Sequence, residues 1–200
     1  MSQLPLPREA LYAPDYPLET PRLRLRPFIR GDVDAVYAYR SREDVARYLS
    51  DRAMSHDECA DAIHSRAGQI ALVGEGDKIL LGMERKSDGH LIGEVSLIWR
   101  NVADGQGEIG YVLNPDYHRN GYATEAAEAL LAFGFLQVEL HRIYARCHAL
   151  NEPSWRLMER LGMRREAHLR EHIRVKGHWD EELIYAILAS EWSGLRTSPR

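Results

Sequence analysis

Cysteine is scarce. The chain has 2 among 200 residues, Cys59 and Cys147, far apart and in no Cys-x-x-Cys spacing, so neither a disulfide framework nor a zinc site is indicated. Both are expected to be buried free thiols. Long apolar runs are also missing: none approaches the roughly 18 residues of a membrane-spanning helix, and the N-terminus shows no apolar stretch behind a basic one, as a signal peptide would. A cytoplasmic protein with no membrane partner is expected. Positive charge is not in excess, with 26 Lys and Arg against 30 Asp and Glu and a formal net charge of −4, which argues against a general nucleic-acid binder. Internal repeats and low-complexity linkers are lacking, so a single domain is expected. A chain of this length suits one α/β domain that buries roughly 70% of its unfolded surface.

What is present is organised around residues 111–127, Tyr-Val-Leu-Asn-Pro-Asp-Tyr-His-Arg-Asn-Gly-Tyr-Ala-Thr-Glu-Ala-Ala. An apolar strand breaks at Pro115, passes through a polar turn bearing Gly121, and enters an alanine-rich helix. Such a turn leaves unpaired backbone N–H groups at a helix N-terminus, where the orphan donors and the helix dipole favour a phosphate. The main chain of Arg119 to Thr124 is therefore read as a diphosphate cradle, with Arg119 as an added charge. A conventional nucleotide P-loop is excluded, because the turn lacks the Gly-Lys-Ser/Thr ending that grips terminal phosphates and magnesium.

Around this centre the pattern alternates between strand and helix. Residues 1–21 carry five of the nine prolines and read as an extended N-terminal arm. Arg22 to Arg26 alternates charged and apolar residues as a half-buried strand does. Asp32 is a candidate N-cap for a helix through Val33, Val36 and Tyr37, and a short helix is expected over Glu43 to Leu49. Ser55 and Glu58 form a capping box ahead of a stripe of Cys59, Ile63, Ala67 and Ile70. Strands are expected at 78–84, 91–99 and 108–113, joined by turns at Asp88-Gly89 and 101–107. After the loop come a helix over 122–136, a strand over 141–149, and a helix opened by Asn151 and Pro153 and stopped by Gly162. A long hairpin around Lys176-Gly177-His178 completes a mixed α/β sheet with helices on both faces. The domain is placed at 22–192, with a tail at 193–200.

His118-Arg119-Asn120-Gly121-Tyr122-Ala123 resembles the acyl-CoA-binding signature of the GCN5-related N-acetyltransferases (GNAT). In that family a Gln or Arg is followed three residues later by Gly and five residues later by Gly or Ala; here His118 takes the first place. The run Ala123 to Ala127 and Glu108-Ile109-Gly110-Tyr111 look most like the branch that acetylates N-terminal amines of ribosomal proteins (RimJ/RimL-like), and the likeness extends from about Thr20 to about Trp192. The resemblance implies the acyl-CoA N-acyltransferase fold, with a central, mostly antiparallel sheet, and acetyl-CoA as acetyl donor. It also implies that the strand around Glu108 to Leu113 splays from its neighbour, offering the main chain of Tyr111, Val112 and Leu113 to pantetheine. By the same resemblance Asn151 meets the CoA arm and Ser154 donates to the thioester sulfur.

Direct transfer needs an amine lone pair, and an alkylammonium with a pKa near ~10 is almost wholly protonated at neutral pH. Glu108 is the candidate base, because the strand alternation can aim its carboxylate into the cleft, where a raised pKa or a water relay would take the proton. A cross-strand salt-bridge role competes with it. Helix capping competes for Asn151, and a first-turn hydroxyl bond for Ser154. His118 reads as a loop-ordering or phosphate-contacting side chain. His168 and His172 are four apart, a spacing that faces one way only on a helix, and the local pattern is extended, so no metal is expected. Trp179 to Glu182 is expected either to edge the acceptor cleft or to form a polar turn with one packed tryptophan. The expected activity is acetyl transfer to a primary amine: an N-terminal α-amine, or alternatively an aminoglycoside, a polyamine or another small amine. A non-catalytic acyl-CoA sensor is the reading from another class. The resemblance leaves room for a homodimer through the C-terminal strands.

Overall fold

Strand β1 (Leu18–Glu19) pairs with β2 (Leu23–Arg26), where Leu23 and Leu25 are fully buried and Arg24 is exposed. The period of two expected for a half-buried strand is realised there. The computed structural model describes residues 12–192, so the start of the arm and the whole tail at 193–200 lie outside the described residues. From Tyr12 onward the arm lies on the domain: Tyr12 bridges to Leu72 and meets the Trp99 ring edge-on at 5.5 Å, and the Tyr16 hydroxyl donates to the Ile70 carbonyl at 2.5 Å.

Helices α1 (Val33–Arg40), α2 (Glu43–Ala46) and α3 (His56–Arg66) follow. The Ser55 and Glu58 capping box is complete, and Cys59 and Ile63 are buried. Ala67 and Ile70, expected on the same stripe, fall outside α3; Ala67 is its C-cap, and Ile70 forms a bridge to Ile79. The helix stops because Gly68 and the sheet edge offer another use for the chain. Asp32 occupies the N-cap of α1 but makes no capping bond; its buried carboxylate accepts from the Arg26 guanidinium and the Ile29 N–H instead. Helix α2 ends at Ala46, short of Leu49.

Strands β3 (Lys78–Arg85), β4 (Leu91–Asn101) and β5 (Gln106–Leu113) form an antiparallel meander. A 3-10 turn (Pro115–Tyr117) then leads to α4 (Tyr122–Leu136), β6 (Arg142–His148), α5 (Glu152–Arg160), β7 (Arg164–Val175) and β8 (His178–Leu188). The eight-stranded sheet has the order β1-β2-β3-β4-β5-β6-β8-β7, and β5 with β6 is its parallel pair. Helix α4 packs closely on one face: a Cβ at Gly134 would sit 2.7 Å from the Ile143 side chain. The main core lies under α4 and α5, and a smaller one, including Phe28, Tyr39 and Leu80, lies under α1 and α3 on the opposite face. Two thiols are free, Cys59 buried and Cys147 only partly so. Trp179, expected to pack in one reading, is 57% exposed.

Candidate active site

The polar turn is held in shape by its own side chains. His118 Nε2 lies 3.1 Å from the Leu113 carbonyl, and Asn120 Nδ2 donates to the carbonyls of Tyr117 and His118 at 3.2 and 3.0 Å. Arg119 and Gly121 both have positive φ, 63° and 79°, and the second of these turns the chain into α4. No side chain caps that helix, in contrast to the complete box on α3. The first N–H groups of α4, on Tyr122, Ala123 and Thr124, have no intrahelical acceptor by geometry, so an anion finds donors already aligned with the helix dipole.

A clamp on this loop escaped the sequence reading. Arg22, just before β2, donates from Nε to Glu125 at 2.7 Å and from Nη1 to the Asn120 carbonyl at 2.9 Å, and its guanidinium lies 4.7 Å from the centre of the Tyr122 ring. Glu125 also accepts from the Thr20 hydroxyl and the Arg22 N–H. Burial pushes the Glu125 carboxyl up, but these bonds outweigh it and the net shift is downward. Arg85, at the end of β3, lies 4.8 Å over the Tyr117 ring. Nothing in local spacing links residues 22 and 125, which is why the pair was missed.

From the loop the site runs into a seam in the sheet. The parallel pairing of β5 with β6 covers Gln106, Gly107 and Glu108 opposite Arg142, Ile143 and Tyr144, then stops, although β5 continues to Leu113 and β6 to His148. On its other edge β5 stays paired with β4 as far as Leu113. The β6-facing main chain of Tyr111, Val112 and Leu113 therefore has no strand partner, which suits an amide-bearing arm lying between the strands.

The start of α5 stands across this seam. The Tyr111 hydroxyl is 3.1 Å from both the hydroxyl and the carbonyl of Ser154, so Ser154 faces the seam. Asn151 sits at the N-cap without a capping bond, which leaves its amide to other partners. Cys147 lines the same space; burial pushes its thiol up to about 11, with a smaller opposing effect from the Ser154 hydroxyl. Burial likewise raises the Tyr111 phenol.

The seam opens into a cleft of about 450 Å³ on the face covered by α1 to α3. Glu108 lines it, but each of its oxygens accepts from an arginine: Oε2 from Arg100 at 2.7 Å and Oε1 from Arg146 at 3.1 Å. Burial, then the Glu108 charge, raises the neighbouring Tyr144 phenol. The hairpin of β7 and β8 forms the opposite wall. Lys176 at its tip donates to the Ala46 carbonyl at 2.6 Å, and the Tyr48 and His148 rings meet at 5.4 Å. Asp180 and Glu182 line the cleft, with Asp180 3.3 Å from His148 Nε2. His168 and His172 stand on β7 beside Glu181 and Glu182. Among the described residues no group of three or more His, Cys, Asp or Glu is placed to hold a metal.

The sequence pattern of the acetyltransferase (GNAT) domain matches residues 22–164. An uncharacterized N-acetyltransferase of Bacillus subtilis (strain 168), YnaD, is 35% identical over 176 residues, 88% of this chain and 99% of that protein. The crystal structure of a GNAT-family acetyltransferase from Bacillus anthracis superposes with a TM-score of 0.76 at 33% identity, covering 86% of this chain and 98% of that one. Spermidine N-acetyltransferase from Vibrio cholerae, solved in complex with CoA and spermine, gives a TM-score of 0.71 at 23% identity over 86% of this chain and 98% of its own. At that identity the likeness is one of fold.

Proposed function

This chain belongs to the acetyltransferase (GNAT) family and is an N-acetyltransferase that uses acetyl-CoA, and on that footing we propose that its acceptor is the N-terminal α-amine of a protein or peptide. The cosubstrate is carried by the seam between β5 and β6, with the uncapped start of α4 at one end and Ser154 on its wall; the observation that carries the acceptor is Glu108 held by two arginines. We assign the diphosphate to the main chain of Arg119 to Thr124, with His118, Asn120 and Tyr122 shaping the turn. Pantetheine is assigned to the main chain of Tyr111 to Leu113 and the amide of Asn151. The catalytic domain is taken as 22–192, in a cytoplasmic protein; no described helix is long and apolar enough to cross a membrane.

In the proposed reaction the amine nitrogen attacks the thioester carbonyl within a ternary complex, the new N–C bond forms and the C–S bond breaks. Ser154 donates a hydrogen bond to the departing thiolate, which takes up the second proton that the nitrogen releases as the amide forms and so ends as a thiol. One proton must leave the ammonium before attack. Glu108 is proposed to take it through a water, because an arginine on each oxygen occupies half of the carboxylate's lone pairs and narrows the direct approach of an ammonium. A base so occupied suits an amine that needs little help. An α-amine with a pKa near ~8 is partly neutral already at pH 7, whereas an alkylamine near ~10 is not.

The alternative acceptors are polyamines and aminoglycosides. They are favoured by the spermidine enzyme among the fold relatives and by Asp180 and Glu182 on the cleft wall. A sensor without turnover would keep the cradle and release no CoA.

The test is acetyl-CoA binding by calorimetry for the wild type and Gly121→Trp, followed by CoA release with peptide, polyamine and aminoglycoside panels. Micromolar binding that is lost in the variant, with release on peptides, supports the reading. Release on polyamines alone replaces the acceptor, binding without release on any panel favours the sensor, and a folded wild type that binds nothing overturns the cosubstrate assignment.

A further inference from the structure

The floor of the acceptor cleft, apart from the acidic wall of Asp180, Glu181 and Glu182, carries positive charge that Glu94 alone does not match. Glu94, on β4, is buried and accepts from the Tyr39 hydroxyl at 3.0 Å, from Arg66 at 2.7 Å and from Arg40. It is one carboxylate between two guanidiniums. Lys78 of β3 lines the same floor, feels repulsion from Arg66, Arg40 and Arg100, and makes no hydrogen bond or ion pair within the described residues. Arg100 is matched by Glu108, and Asp51 attracts Arg40 only at longer range. Arg40, Arg66 and Lys78 thus bring three positive charges against the one of Glu94.

Two features set these cations apart from ordinary structural ones. Arg40 is 8% exposed and lines the cleft, yet its Nε–H is buried without an acceptor; a buried donor left unpaired costs the fold unless something else satisfies it. Lys78 has its pKa lowered, first by burial; Glu94 pulls the other way and Arg66, Arg40 and Arg100 oppose that pull, so Lys78 is partly dehydrated and shares its one attracting charge with two arginines. A merely structural lysine at a strand end would pair with a neighbouring carboxylate or extend into water.

We propose that Lys78, with Arg40 beside it, forms an anion subsite on the cleft floor, and that the acceptor is an amine carrying a carboxylate within a few bonds of its nitrogen. The identity of the amine end rests on the acetyl-transfer reading; the anion subsite does not. Register sets the spacing. Lys78 stands opposite Ile98, and Ile98 opposite Glu108, so two strand spacings, about 10 Å, separate the Lys78 and Glu108 backbones. Both side chains reach inward from those positions. The acceptor class is then a free amino acid, or a peptide whose first residues include an acidic side chain; a polyamine would meet the acidic wall of Asp180 and Glu182 but find no partner for its charge at Lys78.

The probes are product mimics: N-acetylglycine, N-acetyl-β-alanine and N-acetyl-γ-aminobutyrate, each against its carboxamide. They are titrated by calorimetry into the full chain with and without CoA. At least one acid is expected to bind tenfold or more tighter than its amide. Lys78→Met should abolish that preference, and Lys78→Arg should retain it. Acids and amides binding alike to the wild type, or a preference unchanged in Lys78→Met, overturns the proposal, as does a wild type that binds none of the acids. The arm without CoA keeps the subsite apart from the cosubstrate: a protein that binds no CoA but still prefers an acid loses the acetyltransferase reading and keeps the anion site. Acidity of the acceptor is read separately, from the rate on alanine against alaninamide and spermidine.

Discussion

Tyr111 and Ser154 meet hydroxyl to hydroxyl at 3.1 Å across the seam between β5 and α5. The contact fixes where the Ser154 hydroxyl points, toward the gap rather than toward the first turn of its own helix. Ser154→Ala is expected to lower kcat about 10²-fold, the lower end for losing a positioned proton donor, with acetyl-CoA affinity unchanged. Tyr111→Phe removes only the orienting bond, worth about 1 kcal/mol, and should cost kcat about fivefold. Steady-state kinetics beside calorimetry separate the two, and an unaffected kcat in Ser154→Ala would remove its assigned role.

Cys147 lies in the same gap, and its position invites an acetyl-cysteine intermediate. Its thiol, pushed up to about 11 by burial, is almost wholly protonated at pH 7, and the thiolate is the nucleophile. Iodoacetamide labelling of Cys147 should be slow at neutral pH and accelerate toward pH 11. Cys147→Ala should keep activity within about threefold, given that no positioned acid or base is lost. Acetylated Cys147 detected by mass spectrometry during turnover would contradict direct attack.

Gly121 turns the chain at φ 79°, and an added Cβ would stand 3.4 Å from Arg22 Nη2. Gly121→Ala should therefore cost about 1–2 kcal/mol from the left-handed backbone alone and weaken acetyl-CoA binding. Arg22→Ala leaves the backbone free to hold its shape but removes the bonds to Glu125 and Asn120. We expect acetyl-CoA affinity to fall about tenfold, the equivalent of one charge-assisted bond, with kcat at saturation preserved. Equal affinity in calorimetry would show that the clamp serves the fold alone.

Glu94 links pH to stability. Burial raises its carboxyl, but Arg40 and Arg66, with bonds from Arg40 and Tyr39, overcome this, and the folded pKa lies below the ordinary 4.5. The sign follows from linkage. A depressed carboxyl stabilises the fold above its unfolded value, and the contribution is lost as pH falls from about 4.5 through the folded pKa. Glu94→Gln strands two buried guanidiniums and should cost about 3–5 kcal/mol at pH 7, while its melting temperature should fall less steeply than that of the wild type below pH 4.5. Thermal melts from pH 3 to 7 check both.

Much of this architecture could be read from local pattern, and the reason is visible in single residues. Leu23 and Leu25 alternate with arginines, Ser55 and Glu58 cap reciprocally, and Gly162 ends α5 with φ 80°; each depends on neighbours within a few positions. The turn at Gly121 before an alanine-rich helix was legible for the same cause. Glu94 was not, since in Leu-Ile-Gly-Glu-Val-Ser-Leu it reads as an outward strand residue, and only α1 and α3 folding over it bury it. The Arg22 bond to Glu125 spans 103 residues, and Lys78 looks like any polar strand end until Arg40 and Arg66 arrive beside it. Asn151 has the sequence of a cap, and the bond it lacks could not be read from its type.

Three residue pairs are all that tie β5 to β6 in the sheet, so the crack to which the cosubstrate is assigned is also the place where these two strands are least stitched. Strands β1 to β5 on one side and β6 to β8 on the other form two halves whose backbone ladder is incomplete without something between them. On the proposed assignment a bound pantetheine arm would act as a missing strand, and at a concentration 100-fold above its dissociation constant it would add about 2.7 kcal/mol to the folded state. Amides of the paired positions 106–108 and 142–144 that face this joint should exchange through its opening rather than through global unfolding. On that assignment the protein without its acetyl donor is expected to be not only idle but easier to pull apart.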